Sequence, residues 1–205
     1  MADMTIFWDL DNTLLDSSRF FAALRTVIMN RGHTEADVNW TLDSLNATGY
    51  SFERHLGALG ETGERQSEGV AALSKVLADG RPFLFPEVEH VLARLERRGV
   101  RQRLLTYGYE PYQEAKWAGL SCLHRYFEVE HFVYQNNDKG DVLAKTTRRG
   151  EFVVFVDDSL KWIDIAARKA PWVWGVQARW GEGVETRDGV DGANNLNELL
   201  GLLEG

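Results

Sequence analysis

The chain has 205 residues, of which 31 are Asp or Glu and 23 are Lys or Arg, giving a formal net charge of −8. That acid excess argues against a general nucleic-acid binder, which needs a basic face. The 44% apolar and 26% charged content reads as an ordinary globule rather than a disordered tail. A single cysteine, Cys122, leaves no internal disulfide and suits a reducing cytoplasm. No run approaches the roughly 18 consecutive apolar residues of a membrane span, and the start lacks a basic-then-apolar leader.

Taken in chain order, Thr5 to Trp8 is a short apolar run ending at Asp9, the pattern of a strand buried on both faces of a parallel sheet. From Asp16 to Arg81 there is no β run. Helical spacing recurs instead, in Phe20/Leu24/Val27/Ile28, Val38/Leu42/Leu45, Phe52/Leu56 and Val70/Leu73/Val76/Leu77, punctuated by Gly32, Gly49, Gly60 and Gly80. Val88, Val91, Leu92 and Leu95 then mark a helix stopped by Gly99. Val100 to Leu105 reads as a strand ending at Thr106, and Pro111 opens a helix carrying Trp117 and Leu120. Val129 to Tyr134 is a weaker strand, followed by Lys139 and a helix over Asp141 to Arg149. Phe152 to Val156 is a strand ending at Asp157, and Ser159 caps a helix with Ile163, Ala166 and Ala167 inward. Trp172 to Val176 follows Pro171 as another strand, and a helix capped by Asn194 or Asn195 buries Leu196, Leu199, Leu200 and Leu203.

Strands alternating with helices predict a parallel sheet with right-handed crossovers, whose chemistry sits on loops at the C-terminal strand ends. Three such ends carry Asp9, Thr106 and Asp157. In Asp9-Leu10-Asp11-Asn12-Thr13, one carboxylate could attack phosphorus and the second could move protons. Taken alone, the commoner reading of such a pair is a polar loop capping a helix. Asp157-Asp158 with Asp9 offers an oxygen-only set for a hard cation, and the commoner reading of that pair alone is a helix N-terminus. Thr106 offers a hydroxyl for phosphate oxygens, or closes a plain turn. Lys139 offers a cation to offset the acids, although a lone lysine is usually a solvated surface residue.

In this order the four elements resemble the haloacid dehalogenase superfamily. Asp9 to Thr13, flanked by Ile6-Phe7-Trp8 and Leu14-Leu15-Asp16, is similar to its DxDxT motif. Thr106-Tyr107-Gly108 is similar to the second motif, with Gln113, Lys116, Leu120 and Tyr126-Phe127-Glu128 continuing the pattern. Lys139 resembles the third motif, and Asp157-Asp158-Ser159 the fourth. The resemblance implies an α/β fold with a Rossmann-like, doubly wound parallel sheet core and an all-helical cap insert. The core would be residues 1–15 and 82–205, and the cap residues 16–81.

It further implies that Asp9 is the nucleophile and a metal ligand, and that Asp11 is the acid/base with its carbonyl on the metal. Thr106 would bind the phosphoryl group with Asn12 and the backbone of Tyr107 and Gly108. Lys139 would orient Asp9. Asp158 would be the principal fourth-motif ligand of Mg²⁺, and Asp157 a nearer or more distant one. The sequence departs from the pattern at Trp162, where a further acid is common, and Asp164 is the next acid along. Lys145 is the second choice for Lys139.

Asp11 favours ester hydrolysis over dehalogenation, because halide leaves without a proton whereas an alkoxide does not. The expectation is therefore a Mg²⁺-dependent phosphatase of small soluble phosphate monoesters, a cytoplasmic monomer or homodimer with no nucleic-acid or membrane partner. A phosphomutase with the same aspartyl phosphate and a non-catalytic binding protein are the alternatives. Arg19, Tyr50, Arg54 and His55 are candidate cap contacts, with solvated or core-edge roles the commoner reading. Trp8, Trp172, Trp174, Trp40, Trp117 and Trp162 are expected to pack, and Trp180 to lie in a loop near the site or an interface.

Overall fold

The computed structural model describes residues 4–46, 49–135 and 137–204. Positions 1 and 205, the outer bounds expected for the core, lie outside these. Six parallel strands form one sheet in the order β3-β2-β1-β4-β5-β6. They are β1 (Met4–Trp8), β2 (Arg101–Tyr107), β3 (Val129–Val133), β4 (Phe152–Asp157), β5 (Trp174–Ala178) and β6 (Gly192–Ala193). All five residues of β1 are buried, as a central strand covered on both faces requires. One face packs Ile6, Leu104, Val154 and Val176 into the larger core cluster, and the other packs Phe7, Leu105, Val153 and Phe155 into a second.

Between β1 and β2 stand α1 (Ser17–Met29), α2 (Glu35–Asn46), α3 (Phe52–Ala58) and α4 (Gly63–Ala78), with α5 (Val88–Arg97) after them. Asp16 caps α1 by accepting from the Arg19 N–H at 3.0 Å, and Ser51 caps α3 from the Arg54 N–H. The chain enters and leaves this insert side by side. The Asp16 N–H donates to the Phe83 carbonyl at 2.8 Å, and the Phe85 N–H to Leu14 at 3.0 Å. The remaining helices are α6 (Glu110–Ala118), α7 (Ser121–His124), α8 (Lys139–Thr146), α9 (Leu160–Lys169) and α10 (Leu196–Glu204).

Four details differ from the sequence reading. β5 starts at Trp174 because Pro171 and Trp172 belong to a turn, in which the Val173 N–H donates to Ala170. α8 starts at Lys139 and stops at Thr146, because the Asp138 carboxylate caps it through the Asp141 N–H and Thr147 is extended. β6, with two residues, is too short for periodicity to reveal. Trp40 does not pack: it is 70% exposed on α2. Among the described residues no helix is long and apolar enough to cross a membrane.

Candidate active site

Register brings the strand ends together. Trp8 pairs with Val156 of β4 and with Leu104 of β2, so Asp9 emerges beside Asp157, with Thr106 on the other side. The Asp9 N–H donates to Val156 at 2.9 Å and extends the ladder by one rung. The chain then turns tightly, with Leu14 and Leu15 both donating to Leu10. Asn12 adopts φ +56°, a left-handed conformation that Asn tolerates. The Trp180 indole, in the loop after β5, donates to the Thr13 carbonyl at 3.0 Å and braces this turn.

Lys139 is the pivot. Its side chain is buried, and Nζ donates to Asp9 Oδ1 at 2.5 Å and to Asp157 Oδ2 at 2.6 Å. Gly140 makes this reach available. A Cβ there would lie 2.7 Å from Ile165 Cγ2, so only glycine lets α8 sit this close to α9. Lys145 is exposed and plays no such part. The second oxygen of Asp157 accepts from the Ser159 N–H at 2.9 Å, and Asn12 Nδ2 donates to Asp158 at 3.3 Å.

One oxygen from each of Asp9, Asp157 and Asp158 lies within 4.8 Å of the others, a group that could hold a metal ion. Burial, partly opposed by Lys139, pushes the Asp9 carboxyl up to about 7. Burial likewise raises Asp157 and Asp158 to about 6 each. Three desolvated carboxylates share one lysine, and an oxygen-only donor set with surplus negative charge fits a hard divalent cation. The Thr106 hydroxyl is buried with no hydrogen-bond partner among the described residues.

Asp11 is held apart from this cluster. Lys116 Nζ, buried on α6, reaches Asp11 at 2.6 and 2.7 Å, the Ser17 hydroxyl donates at 2.7 Å, and Gln113 Nε2 donates at 3.2 Å. Burial alone would raise this carboxyl, but the Lys116 charge and these donors outweigh it and hold Asp11 below the usual range. In sequence Gln113 and Lys116 only continue the second-motif pattern, with no contact to name. Their spacing of three on one helical face was the available signal.

Some expected contacts do not form. The Gly108 N–H donates to Val133 at 2.9 Å and is not free for phosphate. Glycine suits this position because its φ is +155°, and a Cβ would also lie 2.4 Å from Gln113 Nε2. Asp164 is turned away in an exposed pair with Arg187. Trp162 is buried, with its ring 4.7 Å from that of Tyr107 and 5.7 Å from Lys139 Nζ, so an indole face stands at the position where the sequence resemblance implies a further acid. Of the candidate insert residues, Tyr50 lines the pocket beside Asp11. Arg19 donates to the Pro82 carbonyl, Arg54 to the Gly49 carbonyl, and His55 is buried against the Tyr50 hydroxyl.

A family model for haloacid dehalogenase-like hydrolases matches residues 4–170. The chain belongs to this family. Solved structures of haloacid dehalogenase-like proteins share its fold over nearly the whole length. One from Burkholderia xenovorans has 22% identity and TM-score 0.68, covering 97% of both chains. One from Bacillus subtilis, described as bound to magnesium, has 14% identity and TM-score 0.67, covering 98% of this chain and 99% of its own. An L-2-haloacid dehalogenase from Xanthobacter autotrophicus has 15% identity and TM-score 0.64, covering 100% and 99%. No curated protein sequence matches significantly. A structure from Clostridium difficile described as a phosphatase has 17% identity and TM-score 0.58, covering 98% of both chains. These likenesses show the fold alone, and the choice between ester and carbon–halogen hydrolysis rests on the site.

Proposed function

We propose that this haloacid dehalogenase-like hydrolase is a phosphatase acting on small phosphate monoesters through an aspartyl phosphate on Asp9. The observation that carries the reading is Asp11, a carboxylate two residues beyond the nucleophile, held by Lys116, Gln113 and Ser17. Departure of halide needs no proton and leaves such a group without a task. Departure of an alcohol needs one, and a positioned acid contributes about 10²–10⁴-fold.

In this reading Asp9 Oδ attacks phosphorus, the ester P–O bond breaks, and Asp11 delivers a proton to the departing oxygen. Asp11 then takes a proton from water, which attacks the aspartyl phosphate and releases phosphate and free Asp9. Lys116 favours the carboxylate form that the second step uses. The negative charge of bound phosphate favours the protonated form that the first step uses. Lys139 fixes Asp9 against rotation, and the Thr106 hydroxyl donates to a phosphoryl oxygen.

Asp9, Asp157, Asp158 and the Asp11 carbonyl would hold Mg²⁺. When bound, such a cation offsets the repulsion between carboxylate and phosphate. Residues 16–81 would act as the cap over residues 1–15 and 82–205, and exclude water from the reacting centre.

The test is phosphate release from a panel of monoesters with Mg²⁺, alongside halide release from chloropropionate. Phosphate release that falls by about 10³-fold or more in Asp9→Asn, and markedly in Asp11→Asn, is expected. Undiminished turnover by Asp9→Asn, or halide release in place of phosphate, would sink the proposal.

A further inference from the structure

Beside Asp11 and Asn12 lies a cavity of about 330 Å³. Its walls come from both parts of the chain: Phe21 and Tyr50 from the insert, and Tyr107, Tyr109, Tyr112 and Tyr134 from around β2, α6 and β3. The rings pack edge to face. Tyr50 meets Tyr112 at 4.8 Å, Tyr109 meets Tyr134 at 5.6 Å, and Phe21 meets Tyr50 at 6.2 Å.

Charge is scarce in this cavity. Among the described lining residues only Asp11 and Lys116 are ionic, and they neutralise one another at 2.6 Å. Among the described lining residues a leaving group with its own carboxylate or second phosphate would find no uncommitted cation, and it would face the Asp11 carboxylate; the exposed Lys161 stands outside this lining, 5.7 Å from the Tyr107 ring. The polar lining is otherwise neutral: the Asn12 and Gln113 amides, the Ser17 hydroxyl and the phenols, of which the Tyr50 hydroxyl is already paired with His55. The Tyr112 hydroxyl is buried with no hydrogen-bond partner among the described residues. Burial holds the Tyr50 and Tyr112 phenols above their ordinary range, so both stay neutral. A pocket with aromatic walls, neutral polar groups such as the Asn12 and Gln113 amides, and this volume suits a planar ring that stacks and makes one or two hydrogen bonds.

We infer that the preferred substrates are monoesters of an uncharged alcohol bearing an aromatic ring or base, with the ring seated among these tyrosines and the phosphate at Asp9. The inference rests on the phosphatase reading and narrows it. It sets aside esters of small hydroxy acids and bisphosphates.

The experiment compares kcat/KM, with Mg²⁺, for benzyl phosphate, a nucleoside monophosphate, glycerol phosphate and phosphoglycolate. All four have aliphatic alcohol leaving groups, which limits differences in intrinsic reactivity. At least one ring-bearing ester is expected to exceed both glycerol phosphate and phosphoglycolate by about tenfold or more. The benzyl and nucleoside arms separate a simple aryl group from a nucleobase.

Tyr109→Ala and the milder Tyr112→Phe are expected to shrink that preference, mainly through KM, and circular dichroism checks that each variant is folded. Parity among the esters, or preference for phosphoglycolate, with turnover still lost in Asp9→Asn, would overturn the inference and leave the phosphatase reading intact. No turnover of any monoester would overturn both.

Discussion

Lys116 Nζ lies 2.6 Å from Asp11 Oδ2, although 105 residues separate them in sequence. The lysine side chain is 3% exposed and the aspartate 29%, so the pair sits at the edge of the pocket rather than deep in the core. Its charge keeps the proposed acid/base ionised.

Replacing Lys116 with Met removes the charge and keeps most of the side-chain volume. Because Lys116 lowers Asp11, its loss moves the Asp11 titration upward. The acid limb of the pH–rate profile should shift to higher pH, with kcat reduced. Stability should fall by about 1–3 kcal/mol, since Asp11 keeps its Ser17 and Gln113 donors and some access to water. Urea unfolding and pH profiles check both parts. An unshifted profile would show that Lys116 only packs.

Gly108→Ala is expected to act through Gln113. The added methyl would meet Gln113 Nε2, which donates to both Asp11 and the Tyr107 carbonyl at 3.2 Å. Displacing the amide loosens Asp11, while the φ of +155° adds backbone strain that lowers the melting temperature as well. Loss of kcat should still exceed what that change in melting temperature suggests. Equal effects on both would point to a general backbone disturbance.

The acidic cluster sets a pH dependence with a definite sign. Burial raises Asp9 to about 7 and Asp157 and Asp158 to about 6, from an ordinary value of 3.8. The folded state thus holds protons more tightly than the unfolded chain. The stability these groups contribute is full below their unfolded values and is lost as pH rises through about 6 to 7. Asp11, held low, has the opposite sign and loses its contribution only in stronger acid. Thermal scans of metal-free protein between about pH 5 and 8 should show Tm declining. Added Mg²⁺ should raise Tm by an increment that grows across the same window. A metal increment that does not change with pH would count against a site built from these carboxylates.

Much of the frame was legible before any coordinates. Buried parallel strands make unbroken apolar runs, and Thr5–Trp8 and Phe152–Val156 differ from their observed strands by one residue at one end. Asp9, Thr106 and Asp157 follow such runs directly, so their convergence follows from the sheet itself. What escaped was set by distance in sequence. Nothing local links Lys116 to Asp11, and nothing brings Tyr50 on the insert to Tyr112 on α6. Trp40 was misread because helical spacing shows which residues share a face, not whether anything covers it.

The long reach of these contacts has a consequence for how the protein is made. Lys139 is 130 residues from Asp9, and Asn12 is 146 from Asp158. Asp157 and Asp158 enter with β4, late in the chain, and complete a cluster whose first member leaves with β1. A chain interrupted before Phe152 could carry nucleophile, lysine and pocket, yet have only one of the three carboxylates gathered to hold a cation. On the proposed chemistry, turnover would then serve as a clock for maturation, starting only when β4 has inserted beside β1.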